Sequence, residues 1–389
     1  MKDRSTGPSE WTIVDDRSES PQSAQPPDTS FTRLGTLGVE EEFYLVDANG
    51  RPAHGASRLV HGSLPSELAD QIETEVYDCL VETKTDVCDD AAALGRQVRR
   101  KRRALRDHAA HFGRDVAAAG IHPAACPDDV QPTEGARYRA MLDRLQYPQW
   151  RNLATGLHLH VGVDDAEKAV WIANELRWYL PVFLALSANS PFYDGHDTGL
   201  ASARANVFGS LPCSGMPPAF DSFAAYRDVR ETMIETDAIP DANQLWWDVR
   251  LKPDLGTVEI RTADAQFDPD TVVAFAEYAR ALVRDLAARY EDGESATEFH
   301  DALLETNRWR ALRYGHDAEF TDRNARTVVD LGTVVSRECD RLGIDGIGDV
   351  LDRPSGSARQ RTAYDQRGLS GVCDLLRISS AEEPVERVA

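Results

Sequence analysis

Residues 38–47 read GVEEEFYLVD. Side chains along a strand alternate between its two faces, so Glu40 and Glu42 share one face while Val39, Glu41 and Phe43 share the other. The run predicts a strand over residues 34–47, closed by the turn residues Ala48-Asn49-Gly50. A strand that is apolar on one side and doubly carboxylated on the other belongs to a half-buried antiparallel sheet with a polar face.

The same pattern recurs downstream. In LVETKT (residues 80–85), Glu82 points away from Val81 and Thr83. In GLHLHV (156–161), His158 and His160 oppose Leu157, Leu159 and Val161. In WDVR (247–250), Asp248 and Arg250 oppose Trp247 and Val249, and in VEIR (258–261), Glu259 and Arg261 oppose Val258 and Ile260. For any one of these segments a merely solvated sheet face is an adequate explanation. Together they are dominated by Glu and His and almost lack Lys, which points to converging ligands. Carboxylate oxygens suit Mg²⁺ or Mn²⁺. Zinc is the rival for the HxH pair, but no cysteine or third histidine stands at zinc-ligand spacing. Arginines beside such a cluster would clamp phosphoryl or carboxylate oxygens.

Around these segments the pattern predicts a strand over 73–85, a helix over 89–112, a short apolar strand over 115–121, a strand over 152–163 and a helix over 166–186 broken at Pro181. A Gly- and Pro-rich loop is expected over 188–218, a hairpin joining 244–252 to 257–263, and mostly helix from 270 to about 345. Strands first and helices after them predict an α+β fold. Residues 1–32 are rich in Ser, Pro, Asp and Gln and are expected to be disordered, as is a C-terminal tail over 379–389, leaving one folded domain over 33–378. The basic run Arg99 to Arg103 is read as a solvated or salt-bridged helix face, and Trp246-Trp247 as core, although Trp246 shares the loaded face.

The chain has 389 residues and 42% hydrophobic residues, enough for a sizeable core. No stretch approaches the roughly 20 apolar residues of a membrane span, and the N-terminus lacks a signal-peptide pattern, so a cytoplasmic protein without membrane partners is expected. The net charge is −22, which disfavours nucleic acid as a partner. Only five lysines occur: Lys2, Lys84, Lys101, Lys168 and Lys252. An ordinary acidic enzyme would account for the charge; scarce lysine favours instead a high-salt cytoplasm, where screening relieves self-repulsion. The six cysteines form no CxxC pair and are expected to be reduced and mostly buried. Neither GxxxxGK[ST] nor GxGxxG occurs, so no P-loop or Rossmann site is expected.

Eight segments, GVEEEFYLVD, LVETKT, GIHPAA, TGLHLHVGV, LSANSPF, DTGLASAR, DVRLKPDLGTVEIRTADAQFDP and NRWRALRYGHDA, lie in order from about residue 34 to 320. In them the sequence resembles the type 2 glutamate–cysteine ligase family, or carboxylate–amine ligases, in its halophile form. The resemblance implies a glutamine synthetase-like fold, a curved antiparallel sheet forming a funnel that holds ATP and divalent metal. It places Glu40, Glu42, Glu82, His158 and Glu259 as metal ligands, Arg261 and Glu82 in catalysis, and Arg204 on a substrate carboxylate or phosphate; from their place on the loaded faces, His160 is added as a possible metal or ATP contact and Arg250 as a catalytic partner of Arg261. The reaction it implies joins the γ-carboxylate of glutamate to the amine of cysteine through γ-glutamyl phosphate, with ATP and Mg²⁺ (or Mn²⁺). Three alternatives stay open at this point: a different amine, a metal-dependent hydrolase, and a noncatalytic metal-binding protein. The oligomeric state is not readable.

Overall fold

The computed structural model describes residues 30–324 and 326–378. Nearly all of the expected 1–32 segment, and the tail over 379–389, lie outside the described residues. Phe31, inside that segment, is buried edge-on against Phe223.

Seven strands form one sheet: β1 (Leu37–Val46), β2 (Ile72–Thr74), β3 (Leu80–Lys84), β4 (Asp115–Ala117), β5 (Gly156–Gly162), β6 (Val249–Lys252) and β7 (Thr257–Asp264). The order is β6-β7-β5-β1-β3-β2, with β4 on the end of β1, and every pairing is antiparallel. The main helices are α1 (Ala91–His111), α2 (Ala136–Leu145), α3 (Ala166–Leu176), α4 (Leu180–Ser187), α5 (Ala203–Phe208), α6 (Pro269–Glu291), α7 (Asp301–Tyr314), α8 (Leu331–Leu342) and α9 (Gly356–Leu375). The expected α+β architecture with a largely antiparallel sheet is therefore present.

One face of the sheet is greasy and covered. Val39, Leu157, Leu159, Val161, Val258 and Ile260 pack in one buried cluster with Val272, Phe275, Tyr278 and Leu282 of α6 and with α3 and α4. Phe43, Leu45 and Val81 pack with Leu105 and Ala109 of α1 in a second. Burying each such side chain contributes about 1.5–3 kcal/mol, which pins the strand register, because a slip by one residue would turn these side chains to the other face. Asp90 caps α1 by accepting from the Ala93 amide, as the Asp89-Asp90 start predicts.

Several expectations are corrected. Residues 73–85 are not one strand. The chain reverses through Tyr77–Asp78, where the Asp78 carboxylate accepts from the Gly55 and Ser57 amides, so β2 and β3 form a hairpin with Glu73 opposite Glu82. The loop over 188–218 contains α5, capped by Ser202. Helix continues beyond 345 as far as Leu375. The basic run has two sides: Arg99, Arg100 and Arg103 are exposed, but Lys101 and Arg102 are buried. All six cysteines are free, but only Cys79, Cys88 and Cys373 are buried. Among the described residues no helix is long and apolar enough to cross a membrane.

The charge of −22 makes a measurable demand on this fold. At roughly 0.01 M ionic strength the Debye length is about 30 Å, and at about 1 M it is about 3 Å. Secondary structure followed by circular dichroism is expected to be retained at molar KCl and lost on dialysis to low salt, through self-repulsion of the surface carboxylates. A fold unchanged at the low end would show that pairs such as Arg361–Asp197 and Arg289–Glu294 offset the repulsion without screening.

Candidate functional site

The strand register decides what converges. Glu40 lies opposite His158 and Gly38 opposite His160 across β1 and β5. Glu42 lies opposite Glu82 across β1 and β3, Glu259 opposite His160 across β7 and β5, and Arg250 opposite Glu259 across β6 and β7. Directly opposed residues of an antiparallel pair project to the same face, so the loaded faces join into one polar floor. Above it opens a cavity of about 270 Å³ whose walls include Glu40, Glu42, Glu82, His158, Arg204, Arg250 and Arg261. The remaining two expected residues, His160 and Glu259, are buried on the same face and are not among the residues lining the cavity.

His158 Nδ1 is 3.1 Å from Glu40 and its Nε2 3.7 Å from Glu42. His160 Nδ1 is 3.1 Å from the Thr257 hydroxyl, and its Nε2 has no hydrogen-bond partner. Burial lowers the pKa of His158, with Arg261 adding to the effect, so the ring is neutral and keeps a lone pair. Burial would raise Glu40, but the imidazoles beside it, His158 at 3.1 Å and His160 at 3.5 Å, outweigh it and hold this carboxyl far below the usual range. Glu82 is pushed well up, by burial and then by Glu40, Glu75 and Glu42. Lys84 offsets part of this at 3.2 Å, while sharing its charge with Glu73 at 2.9 Å.

The arginines differ in what they have left to offer. Arg250 donates to Glu259 through Nε at 2.5 Å and Nη2 at 3.2 Å, and to the Asn243 and Leu245 carbonyls through Nη1. With four of its five N–H groups committed, it holds Glu259 in place more than it reaches a ligand. Arg261 also grips Glu259, but its Nε has no partner. Between them these two guanidiniums overcome the burial cost and keep Glu259 ionised. Arg204 donates to the Arg261 and Thr262 carbonyls, leaving its Nε unpartnered. Asp248, expected on the loaded face, turns away to a buried pair with Arg308 at 2.7 Å.

Two groups of side chains bring one donor atom each within 4.8 Å of one another: Glu42, Glu82 and His158, and Glu40, His158 and Glu259. Carboxylates with a neutral imidazole are a suitable donor set for a divalent cation, and the crowding that drives Glu82 upward is what such a charge would relieve. The first group fits best, since none of its carboxylates is saturated by arginine.

Glu75 was missed because 73–85 was read as one strand. It lines the cavity, and burial followed by the charge of Glu42 pushes its pKa up to about 8. Lys84 also lines it and was legible two residues after Glu82. Tyr138 and Met141 of α2 form part of the far wall, a segment without a strong motif. Trp246 lines the cavity too, as its place on the loaded face allows.

Glutamate–cysteine ligase of Haloferax volcanii is 53% identical over 350 residues, covering 90% of this chain and 98% of that protein. Glutamate–cysteine ligase of Natronomonas pharaonis is 51% identical over 350 residues, covering 90% and 97%. Among solved structures, that of glutamate–cysteine ligase from Francisella tularensis in complex with AMP superimposes with a TM-score of 0.65 over 89% of this chain and 88% of that one. At 13% identity it speaks for the fold alone. The family model for glutamate–cysteine ligase family 2 matches residues 36–377, and with that span and those relatives the chain belongs to glutamate–cysteine ligase family 2.

Proposed function

We propose that the protein joins the γ-carboxylate of glutamate to the amine of L-cysteine with hydrolysis of ATP to ADP and phosphate, giving γ-glutamylcysteine. The observation that carries this reading is the single polar floor on which Glu42, Glu82 and His158 gather a cation-sized donor set beside the unpartnered Nε of Arg261 and of Arg204. Haloarchaeal relatives at about half identity over nine-tenths of the chain bear the name of that activity.

A Mg²⁺ ion in such a site neutralises phosphate charge and aligns the transferring group. Glu42, Glu82 and His158 would hold it, with Glu40 and Glu259 available to a second. A γ-carboxylate oxygen of glutamate forms a bond to the γ-phosphorus of ATP and the bond to ADP breaks. Arg261, rigidly braced by Glu259, offers N–H groups to the phosphoryl oxygens as charge develops there. The amine nitrogen of cysteine then attacks the acyl carbon of γ-glutamyl phosphate. Phosphate leaves with the bonding pair, and the amine loses a proton. Arg204, held against the Arg261 and Thr262 carbonyls, supplies a fixed positive charge beside the floor for a substrate carboxylate or phosphate.

Phosphate release is expected to require ATP, glutamate and an amine together, with cysteine the best acceptor in a panel of amines. Another amine favoured by an order of magnitude in kcat/KM, about 1.4 kcal/mol, would refute cysteine while keeping the ligase. Turnover without ATP would instead favour a hydrolase.

A further inference from the structure

Arg204 sits on a six-residue helix that emerges from a long connection, a weak platform for a residue that must present a charge with precision. What steadies it is a carboxylate outside the cavity walls. Asp264, at the end of β7, is completely buried. Its Oδ1 accepts from the Ser202 hydroxyl at 2.8 Å, and its Oδ2 accepts from the Ser190 hydroxyl at 2.7 Å and from the Asn189 amide at 2.8 Å. Each hydroxyl passes the constraint on. Ser190 Oγ accepts from the Arg204 amide at 3.1 Å, and Ser202 Oγ accepts from the Ala205 amide at 3.2 Å, capping α5. Because a hydroxyl has one proton, donating it to Asp264 turns the oxygen lone pairs toward the two amides.

The helix so fixed then returns to the strand that carries the floor. The Arg204 guanidinium donates to the Arg261 and Thr262 carbonyls. It passes so close to Gly156 that a Cβ there would lie 2.3 Å from Nη2. Gly120 likewise makes room for the carboxylate, since a Cβ there would lie 2.4 Å from Asp264 Cγ. Burial raises the Asp264 pKa, and the charge that most opposes the rise is that of Arg204. Residues from GIHPAA, LSANSPF, DTGLASAR and RTADAQ thus meet at one carboxylate.

We infer that Asp264 is a positioning residue for Arg204, acting through the hydroxyls of Ser190 and Ser202 to set the substrate-facing guanidinium against the carbonyl of Arg261. The inference rests on the ligase reading, in which Arg204 holds a substrate. In Asp264→Asn the amide NH₂ would replace one acceptor oxygen. The hydroxyl facing it could no longer donate there while accepting from the helix.

The test measures affinity for glutamate and for ATP with Mg²⁺ by calorimetry, and KM and kcat for both, in full-length protein at molar salt. Arg204→Ala identifies the ligand that Arg204 holds. Asp264→Asn and Ser202→Ala are expected to weaken that same ligand about tenfold, about 1.4 kcal/mol, with a much smaller change in kcat. Ser202→Thr, which keeps the hydroxyl, is expected to restore it. In the double variant Asp264→Asn with Arg204→Ala, binding should be no weaker than in Arg204→Ala alone. Losses that multiply, a Ser202→Thr as weak as Ser202→Ala, or weakening of the other ligand would overturn the inference. If Asp264→Asn does not fold, the Ser202 variants in the same cycle with Arg204→Ala decide it. Failure of the ligase reading looks different: the wild type binds both ligands but releases no phosphate with cysteine, and the affinity cycle still decides the relay.

Discussion

Glu82→Gln is expected to lower kcat by about 10²–10³-fold, the cost of losing one preorganised electrostatic group, while the protein stays at least as stable as wild type. The two halves of this expectation have one cause. Glu82 is buried among Glu40, Glu42 and Glu75, all of which push its pKa up. Without a bound cation that crowding is destabilising, so an uncharged isostere removes repulsion. Lys84 is not orphaned, because it keeps Glu73 at 2.9 Å. With Mg²⁺ the order reverses: the wild type gains stability from a ligand that binds only the folded state, and the variant gains little. Thermal unfolding with and without Mg²⁺, beside phosphate-release kinetics, checks both. A variant with near wild-type turnover would remove Glu82 from the cation site.

Glu41→Gln is expected to do the opposite, destabilising the fold by about 3 kcal/mol with little effect on chemistry. The alternation along β1 turns Glu41 away from the cavity, so the sequence alone predicts a mild substitution. The structure keeps the mild effect on chemistry and adds a cost in stability. Glu41 is buried against Arg102, which donates to it through Nε and Nη2 and spends two further N–H groups on the Gln266 and Phe267 carbonyls. Losing the carboxylate charge leaves a buried guanidinium uncompensated, and it tethers the segment following β7, which carries Asp264. Denaturant unfolding should show the loss, with turnover per folded molecule changed by under about 1 kcal/mol in activation free energy. A loss of turnover as large as that of Glu82→Gln would show that the two faces of β1 are not separate in function.

The members of the polar floor were legible because strand alternation is a local property. Glu40, Glu42, Glu82, His158, Glu259 and Arg261 could be sorted by face from their own neighbours, without knowing which strand paired with which. Their convergence was not local, since it depends on Glu40 meeting His158 and Glu42 meeting Glu82 across separate pairings. Residues 73–85 show where alternation misleads. Glu73 and Glu75 stand at odd offsets from Glu82, so a single strand would turn them to the other face; the reversal at Asp78, held by amides more than 20 residues away, sets Glu73 opposite Glu82.

By itself, then, the sequence determined most of the strands and their loaded faces, residues 73–85 and Asp248 excepted, together with the family motifs and the acidic, lysine-poor composition. Only the tertiary structure decided which charges are free to act. Arg250 and Arg261 read identically in sequence, yet one spends four N–H groups within the protein and the other keeps its Nε unpartnered. Asp248 reads as a floor residue and is taken by Arg308 from a distant helix, while Asp264, in no alternating pattern, gathers three donors. A buried polar group must find a partner wherever the fold brings one, and that partner is set by packing between segments far apart in the chain.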